Sequence, residues 1–251
     1  MVKATPKKKS STPFYGLILI ALVVGGAALW YSVRGKAPEP ITLAANTPLP
    51  AAAGQLRGKP DAPVTILEFA DFECPACANY ALLQEPDIIK RLVEPGLANL
   101  RFYDFPVTEL HPNTMVAHLA AACAADQGKF WEMHDELLTG QYDWHVQKTT
   151  EPRRVIDTYA QKLGLDVAAY DSCMSTRKHL AQIEANRQEG VTRGVGSTPT
   201  IIVNNKVYPG GLTYDQLKQI VDSTIKAMPA GATVPAGDTA KTVPATDTGK
   251  K

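Results

Sequence analysis

Two cysteines, Cys74 and Cys77, stand where a strand-like pattern changes to a helical one, with two residues between them. Residues 64–70 are rich in β-branched and apolar side chains and predict a short buried strand. Pro75 is typical of a first helical turn, and helical spacing continues to about residue 93. The cysteine pair is therefore predicted to lie at the N-terminus of a helix that directly follows a strand.

This position favours redox chemistry. The free N–H groups and partial positive charge of a helix N-terminus stabilise a thiolate, so we predict Cys74 as the nucleophile. Cys77, one turn further in, is predicted to be the resolving thiol that attacks a mixed disulfide at Cys74. A zinc site would need a second close Cys or His pair, and haem attachment would need His at the position of Ala78. We therefore expect a redox pair with no metal and no cofactor.

The other secondary-structure signals place the pair in an α/β fold. A second strand, parallel to the first, is predicted at residues 100–105. Residues 113–193 show helical spacing nearly throughout, and they are followed by a hairpin at 200–208 and a helix at 212–228. The order β-α-β, helical block, β-β-α predicts a thioredoxin-like core with a large helical insertion at about residues 107–195.

Two polar features accompany the cysteine pair. Strand alternation points Glu68 into the core, where burial would raise its pKa and suit it to proton exchange with Cys77. A strand-edge glutamate that reaches solvent is the alternative. A proline follows Thr198 just before the hairpin, and a cis bond between Thr198 and Pro199 would free the flanking peptide groups to bind an extended substrate chain.

The remaining cysteines, Cys123 and Cys173, fall in two predicted helices of the insertion. If the domain is exported, an unpaired buried thiol is a liability, so we predict a structural disulfide between them. Two small buried side chains that never meet are the alternative. On the chain-entropy model, a bond closing a loop of this length stabilises the folded state by roughly 4 kcal/mol.

Residues 14–33 form an apolar segment without a charged side chain. At about 1.5 Å per residue it is long enough for a hydrocarbon core of roughly 30 Å, so we predict a transmembrane anchor. A lysine run at residues 7–9 precedes it, and the positive-inside rule then keeps residues 1–13 in the cytoplasm and places the domain outside. A cleaved signal peptide is the alternative, although its apolar region is usually shorter.

Composition sets the other boundaries. Residues 34–57 are rich in Pro and Ala and predict a flexible linker, and residues 229–251 carry few large apolar side chains and predict a disordered tail. The folded domain is then expected at residues 58–228. The formal net charge is +1, and the chain shows no basic recognition helix, so nucleic acid is not an expected partner.

Three ordered motifs resemble segments of the DsbA-like thiol-disulfide oxidoreductases of bacteria: Leu67 to Cys77, Gln127 to His134 and Gly194 to Thr200. The resemblance spans about residues 60–227 and is to membrane-anchored members. It implies that Glu68 is a buried proton-exchanging acid, that Pro199 is cis and that the insertion is the helical domain of the family.

The resemblance also implies a function. We expect a single-pass membrane enzyme, facing the periplasm or the cell surface, that donates its Cys74–Cys77 disulfide to unfolded or reduced exported proteins. A membrane redox partner would reoxidise it. Ala76 departs from the strong oxidants of the family, which carry His inside the pair, so a reductase or isomerase of the same fold is an alternative. A non-catalytic tethered module that holds a peptide or copper is a third hypothesis.

Overall fold

The structure is a computed structural model, and it describes residues 12–33 and 47–228. The chain divides into two units, Met1–Ala37 and Pro38–Lys251. Three predicted segments lie wholly or largely outside the described residues: the cytoplasmic tail (1–13), the linker (34–57) and the disordered tail (229–251).

The first unit contributes helix α1 (Thr12–Val33). Its described side chains are those at position 16 and at 18–28, and they are exposed. Across the described ranges, no helix combines the length and the apolar character that crossing a membrane requires. The anchor at residues 14–33 therefore stays a prediction.

The second unit is built around a mixed β-sheet. The strands found among the described residues are β1 (Gln55–Arg57), β2 (Thr65–Ala70), β3 (Asn99–Asp104), β4 (Thr200–Val203) and β5 (Lys206–Pro209). Their order across the sheet is β1-β3-β2-β4-β5, with β2 and β3 parallel and the other neighbours antiparallel. The central strand, β2, ends just before the cysteine pair.

Helices connect the strands and form the insertion. In this unit they are α2 (Pro75–Leu83), α3 (Glu85–Ile88), a π-helical turn (Ile89–Val93), α4 (Thr114–Ala125), α5 (Phe130–Thr139), α6 (Gln141–Trp144), α7 (Pro152–Lys162), α8 (Val167–Thr176), α9 (Leu180–Thr192) and α10 (Tyr214–Ala227). The first three elements cross over between β2 and β3, and α4 to α9 lie between β3 and β4, where the insertion is predicted. At the start of α10, Thr213 and Gln216 form a capping box.

Successive side chains of β2 point to opposite faces of the sheet and therefore pack in different hydrophobic clusters. Ile66 packs with the side chains under α10, whereas Ala70 packs with those of the insertion. Leu67 and Phe69 point to the opposite face and pack in a third cluster. Glu68 lies on the same face as Ile66 and Ala70, between the two larger clusters.

The predicted domain start at residue 58 is wrong, because the sheet already includes β1. Leu56 pairs with Arg101 in the antiparallel ladder between β1 and β3. Further upstream, the N–H of Ala53 donates a hydrogen bond of 2.8 Å to Asn186 Oδ1 in α9. A strand of three residues is too short to show alternation, so its Pro- and Ala-rich surroundings resemble a linker.

Helix α9 packs closely on the sheet at Gly190. A Cβ atom built there would lie 2.6 Å from the ring of Phe105 and 2.9 Å from the ring of Phe69. Both rings belong to the buried cluster on that face of the sheet. The absence of a side chain at Gly190 therefore sets how closely the insertion approaches β2 and β3.

We predict that Gly190→Ala lowers the free energy of unfolding by up to about 2 kcal/mol, because the methyl group overpacks two buried rings at a cost of about 1–3 kcal/mol. The gain in helix propensity, about 1 kcal/mol, offsets only part of this cost. Gly196→Ala is the matched control, since a Cβ at Gly196 meets nothing within 4 Å. Urea unfolding of both variants checks the prediction, and equal stability of the two would contradict it.

Candidate active site

Cys74 occupies the N-cap position of α2, with extended backbone angles and Pro75 in the first helical turn. The Cys74 N–H donates to the carbonyl of Asp71 at 3.1 Å, and the Cys74 carbonyl accepts from Cys77 N–H at 3.0 Å. Gln141 of α6 donates from its amide to the carbonyls of Phe72 and Cys74, at 2.7 and 3.0 Å. The insertion therefore helps to hold the strand-to-helix turn.

The surroundings of Cys74 favour its thiolate and lower its pKa to about 5. The largest cause is a hydrogen bond from the Cys77 thiol, which outweighs the opposing effect of burial. The Thr198 side chain and the N–H groups of Ala76 and Cys77 lower the pKa further. Cys74 is therefore ionised at neutral pH, as a nucleophile or a good leaving group requires.

Cys77 shows the opposite behaviour. It is only 1% exposed, and burial raises its pKa well above the ordinary value. Its hydrogen bond to Cys74 and the negative charge of Cys74 raise the pKa further, while the Asp71 N–H, 3.4 Å from Cys77 Sγ, opposes them. Both cysteines are free thiols in the structure. The pair is thus one thiolate held by one neutral thiol, which suits the predicted roles of nucleophile and resolving thiol.

Glu68 is buried, so the solvent-facing alternative for this residue is wrong. Burial raises its pKa well above the ordinary value, and the negative charge of Glu85 adds to the effect. Within the described residues Glu68 Oε2 has no hydrogen-bond partner. A carboxyl group whose pKa is raised by burial gives up its proton less readily than an exposed one. Its predicted proton exchange with Cys77 stays a prediction.

Sequence reasoning missed a second buried acid, Glu85 at the start of α3. Burial raises its pKa, although the charges of His134 and Arg57 oppose the shift. Among the described residues, Glu85 Oε1, His134 Nε2 and Arg57 Nη1 each lack a hydrogen-bond partner. Arg57 and Glu85 also line a cavity of about 540 Å³. Because these residues come from separate elements, no local pattern in the sequence relates them to Glu68.

The loop before β4 completes the site. The Thr198-Pro199 peptide bond is cis, and the Thr198 carbonyl lies 3.5 Å from Cys74 Sγ. Thr198 is partly exposed, whereas Pro199 is buried. The fold thus brings two predicted substrate-binding residues against the predicted nucleophile. Their binding of a substrate chain stays a prediction.

Cys123 in α4 and Cys173 in α8 are bonded to each other, with Cα atoms 5.8 Å apart. Both are buried in the hydrophobic cluster of the insertion. The bond therefore links two helices of the insertion and leaves Cys74 and Cys77 as the thiols available for exchange.

Comparisons with known proteins agree with this geometry. A family model described as Thioredoxin matches residues 51–223. The chain belongs to the thioredoxin family. Among solved structures, α-DsbA1 of Wolbachia pipientis is similar with a TM-score of 0.62 and 17% identity, over 71% of this chain and 94% of that one. The predicted thioredoxin-like fold with a DsbA-like helical insertion is confirmed.

Two curated relatives differ in length from this chain. The Na(+)/H(+) antiporter NhaA 3 of Salinispora tropica is 33% identical over 168 residues, which cover 67% of this chain and 24% of the relative. The chain thus spans about a quarter of that relative. The probable disulfide bond formation protein D of Bacillus anthracis is 26% identical over 173 residues, which cover 68% of this chain and 78% of the relative.

We predict that Cys77→Ala raises the pKa of Cys74 by about 1–2 units, because a hydrogen bond to a charged group contributes about 1.5–3 kcal/mol. Cys77→Ser is the matched control, since its hydroxyl still donates and should keep the pKa low. The thiolate absorbance of the reduced protein, followed from pH 3 to pH 9, measures both. If Cys74 keeps the low pKa of the parent protein in both variants, the helix terminus and not the Cys77 thiol is its cause.

Glu68→Gln should stabilise the protein increasingly as the pH rises above about 4.5. A carboxyl group whose pKa is raised by folding contributes its full stability below its unfolded-state pKa and loses it as the pH rises towards the folded-state pKa. Glutamine carries no such loss. Denaturant unfolding between pH 4 and pH 8 tests this, with Glu109→Gln on the exposed surface as the control. A constant difference between Glu68→Gln and the parent protein would contradict it.

Proposed function

We propose that this protein is a thiol-disulfide oxidoreductase that introduces disulfides into unfolded or reduced exported proteins. The observation that carries the proposal is the asymmetry of the pair, with Cys74 at a pKa of about 5 and Cys77 well above the ordinary value. A thiolate at Cys74 stabilises the reduced form of the pair, and a dithiol with a stabilised reduced form oxidises other dithiols.

The reaction proceeds in two exchanges. A client thiolate attacks Cys74 Sγ of the oxidised pair, the Cys74–Cys77 bond breaks, and Cys77 leaves and takes up a proton. A second client thiolate then attacks the client sulfur of the mixed disulfide and releases Cys74 as a thiolate. Two electrons pass from the client dithiol to the pair, and the client gains one disulfide.

Each residue of the site has a part in these steps. Cys74 is a good leaving group in the second exchange because its pKa is low. Cys77 is a poor leaving group in the first exchange, and the buried acid Glu68 supplies its proton. The backbone at Thr198, next to Cys74 Sγ, pairs with an extended client segment.

The domain acts outside the cytoplasm, anchored by the apolar segment at residues 14–33, and a membrane redox partner reoxidises it. Support for this location comes from the lysine run before the segment and from the Cys123–Cys173 bond, since structural disulfides persist in oxidising compartments. The name of the Bacillus anthracis relative, a probable disulfide bond formation protein, supports the direction of catalysis.

Equilibration of the purified full-length protein in glutathione buffers tests the direction. We predict a reduction potential near −120 mV, the value of a strong oxidant, and faster oxidative refolding of a reduced client. Cys74→Ser is the inactive control. A potential near −270 mV would make the protein a reductase. Tight stoichiometric binding of copper without any exchange activity would favour a tethered metal-binding module.

A further inference from the structure

A buried carboxylate, Asp71, lies between the cysteine pair and the insertion. Its Oδ1 accepts hydrogen bonds from the Glu73 N–H and the Thr114 hydroxyl, and its Oδ2 accepts from the Val107 N–H at 2.7 Å. The fourth donor is His111 Nδ1, 2.8 Å from Oδ2. Burial alone would raise the pKa of Asp71, but the bond from His111 and the charge of His118 lower it below the ordinary value. Asp71 is therefore an anion that His111 partly neutralises.

The backbone of Asp71 contacts the backbone of Cys74 and the thiol of Cys77. Its carbonyl accepts from the Cys74 N–H at 3.1 Å, and its N–H lies 3.4 Å from Cys77 Sγ. His111, on the segment between β3 and α4, is therefore fixed to the residue that holds the redox pair. The His111 side chain is 14% exposed, so little solvent screens the interaction between its charge and the charged groups of the site.

The charges around His111 are negative. The hydrogen bond to Asp71 raises the pKa of His111 and outweighs the opposing effect of burial. The negative charges of Asp71, the Cys74 thiolate and Glu73 raise it further. Glu73 accepts hydrogen bonds from the N–H groups of Asn113 and Val146, so it too is fixed in place. Residues 71–77 carry two acids and no basic side chain. A thiolate at Cys74 thus forms near two carboxylates.

We propose that His111, protonated and held by Asp71, is a positioning residue that supplies the positive charge for the thiolate of Cys74. The proposal rests on the role of Cys74 as the nucleophile. His111 offsets the negative charge of the two acids, so the reduced pair is favoured and the protein is a stronger oxidant. Its contribution adds to the hydrogen bonds from Cys77 and Thr198, which are larger.

His111→Asn tests this without removing the contact to Asp71, because the asparagine amide can still donate to the carboxylate but carries no charge. We expect the pKa of Cys74 to rise by about 1 unit, the lower end of what an opposite charge does. The reduction potential should fall by about 30 mV, since one unit is a tenfold change for a two-electron couple. His179→Asn is the matched control, because His179 also pairs with an aspartate, Asp126, within the insertion.

A measurement on the unmodified protein covers the case in which His111→Asn does not fold. Coupling is reciprocal, so the thiolate must raise the pKa of His111 by the amount that His111 lowers the pKa of Cys74. NMR titration of His111 should therefore give a pKa about 1 unit lower in the oxidised protein than in the reduced protein.

The outcomes separate the two proposals. If Cys74 of the unmodified protein titrates near 9, its role as the nucleophile fails. If Cys74 titrates near 5 and neither His111→Asn nor oxidation shifts a pKa, the inference about His111 alone is overturned, and the contact to Asp71 only holds the loop. A shift of equal size in His179→Asn would overturn it as well, because the effect would then reflect general charge.

Discussion

The hydrogen bond between the two cysteines depends on a turn that the rest of the domain holds in place. Asp71 receives donors from the segment after β3 and from α4, and Gln141 of α6 donates to the carbonyls on either side of Glu73. The turn from β2 into α2 is thus braced by the insertion. Without that bracing, an exposed turn would not keep both thiols buried.

Burial and hydrogen bonding shift the pKa values of the two cysteines in opposite directions. The two thiols lie in the same helical turn, yet the pKa of one is lowered to about 5 and that of the other is raised. The neutral thiol of Cys77 donates the bond that stabilises the Cys74 thiolate, so each residue produces part of the shift of the other. Glu68 and Glu85 are two further buried acids, and burial raises the pKa of both.

Sequence patterns predicted the parts of the site that depend on neighbours along the chain. The helix start at Cys74, the inward direction of Glu68 and the position of the insertion follow from spacing, alternation and turn residues. The pairing of Cys123 with Cys173 followed from the number of cysteines and the expected compartment. In contrast, β1 was interpreted as linker because three residues carry no period, and its place in the sheet depends on β3.

The sequence by itself determined where a reactive thiolate forms. In a Cys-Pro-Ala-Cys segment between a strand and a helix, the groups that stabilise the thiolate, the helix N-terminus and the second thiol, are neighbours along the chain. Only the tertiary structure decided which charges surround that thiolate. Asp71 is hydrogen-bonded to His111 of a distant segment, and the charge of Arg57 in β1 acts on Glu85 in α3. Electrostatic interactions depend on distance in space and on burial, and neither can be predicted from the spacing of residues along a short segment of the sequence.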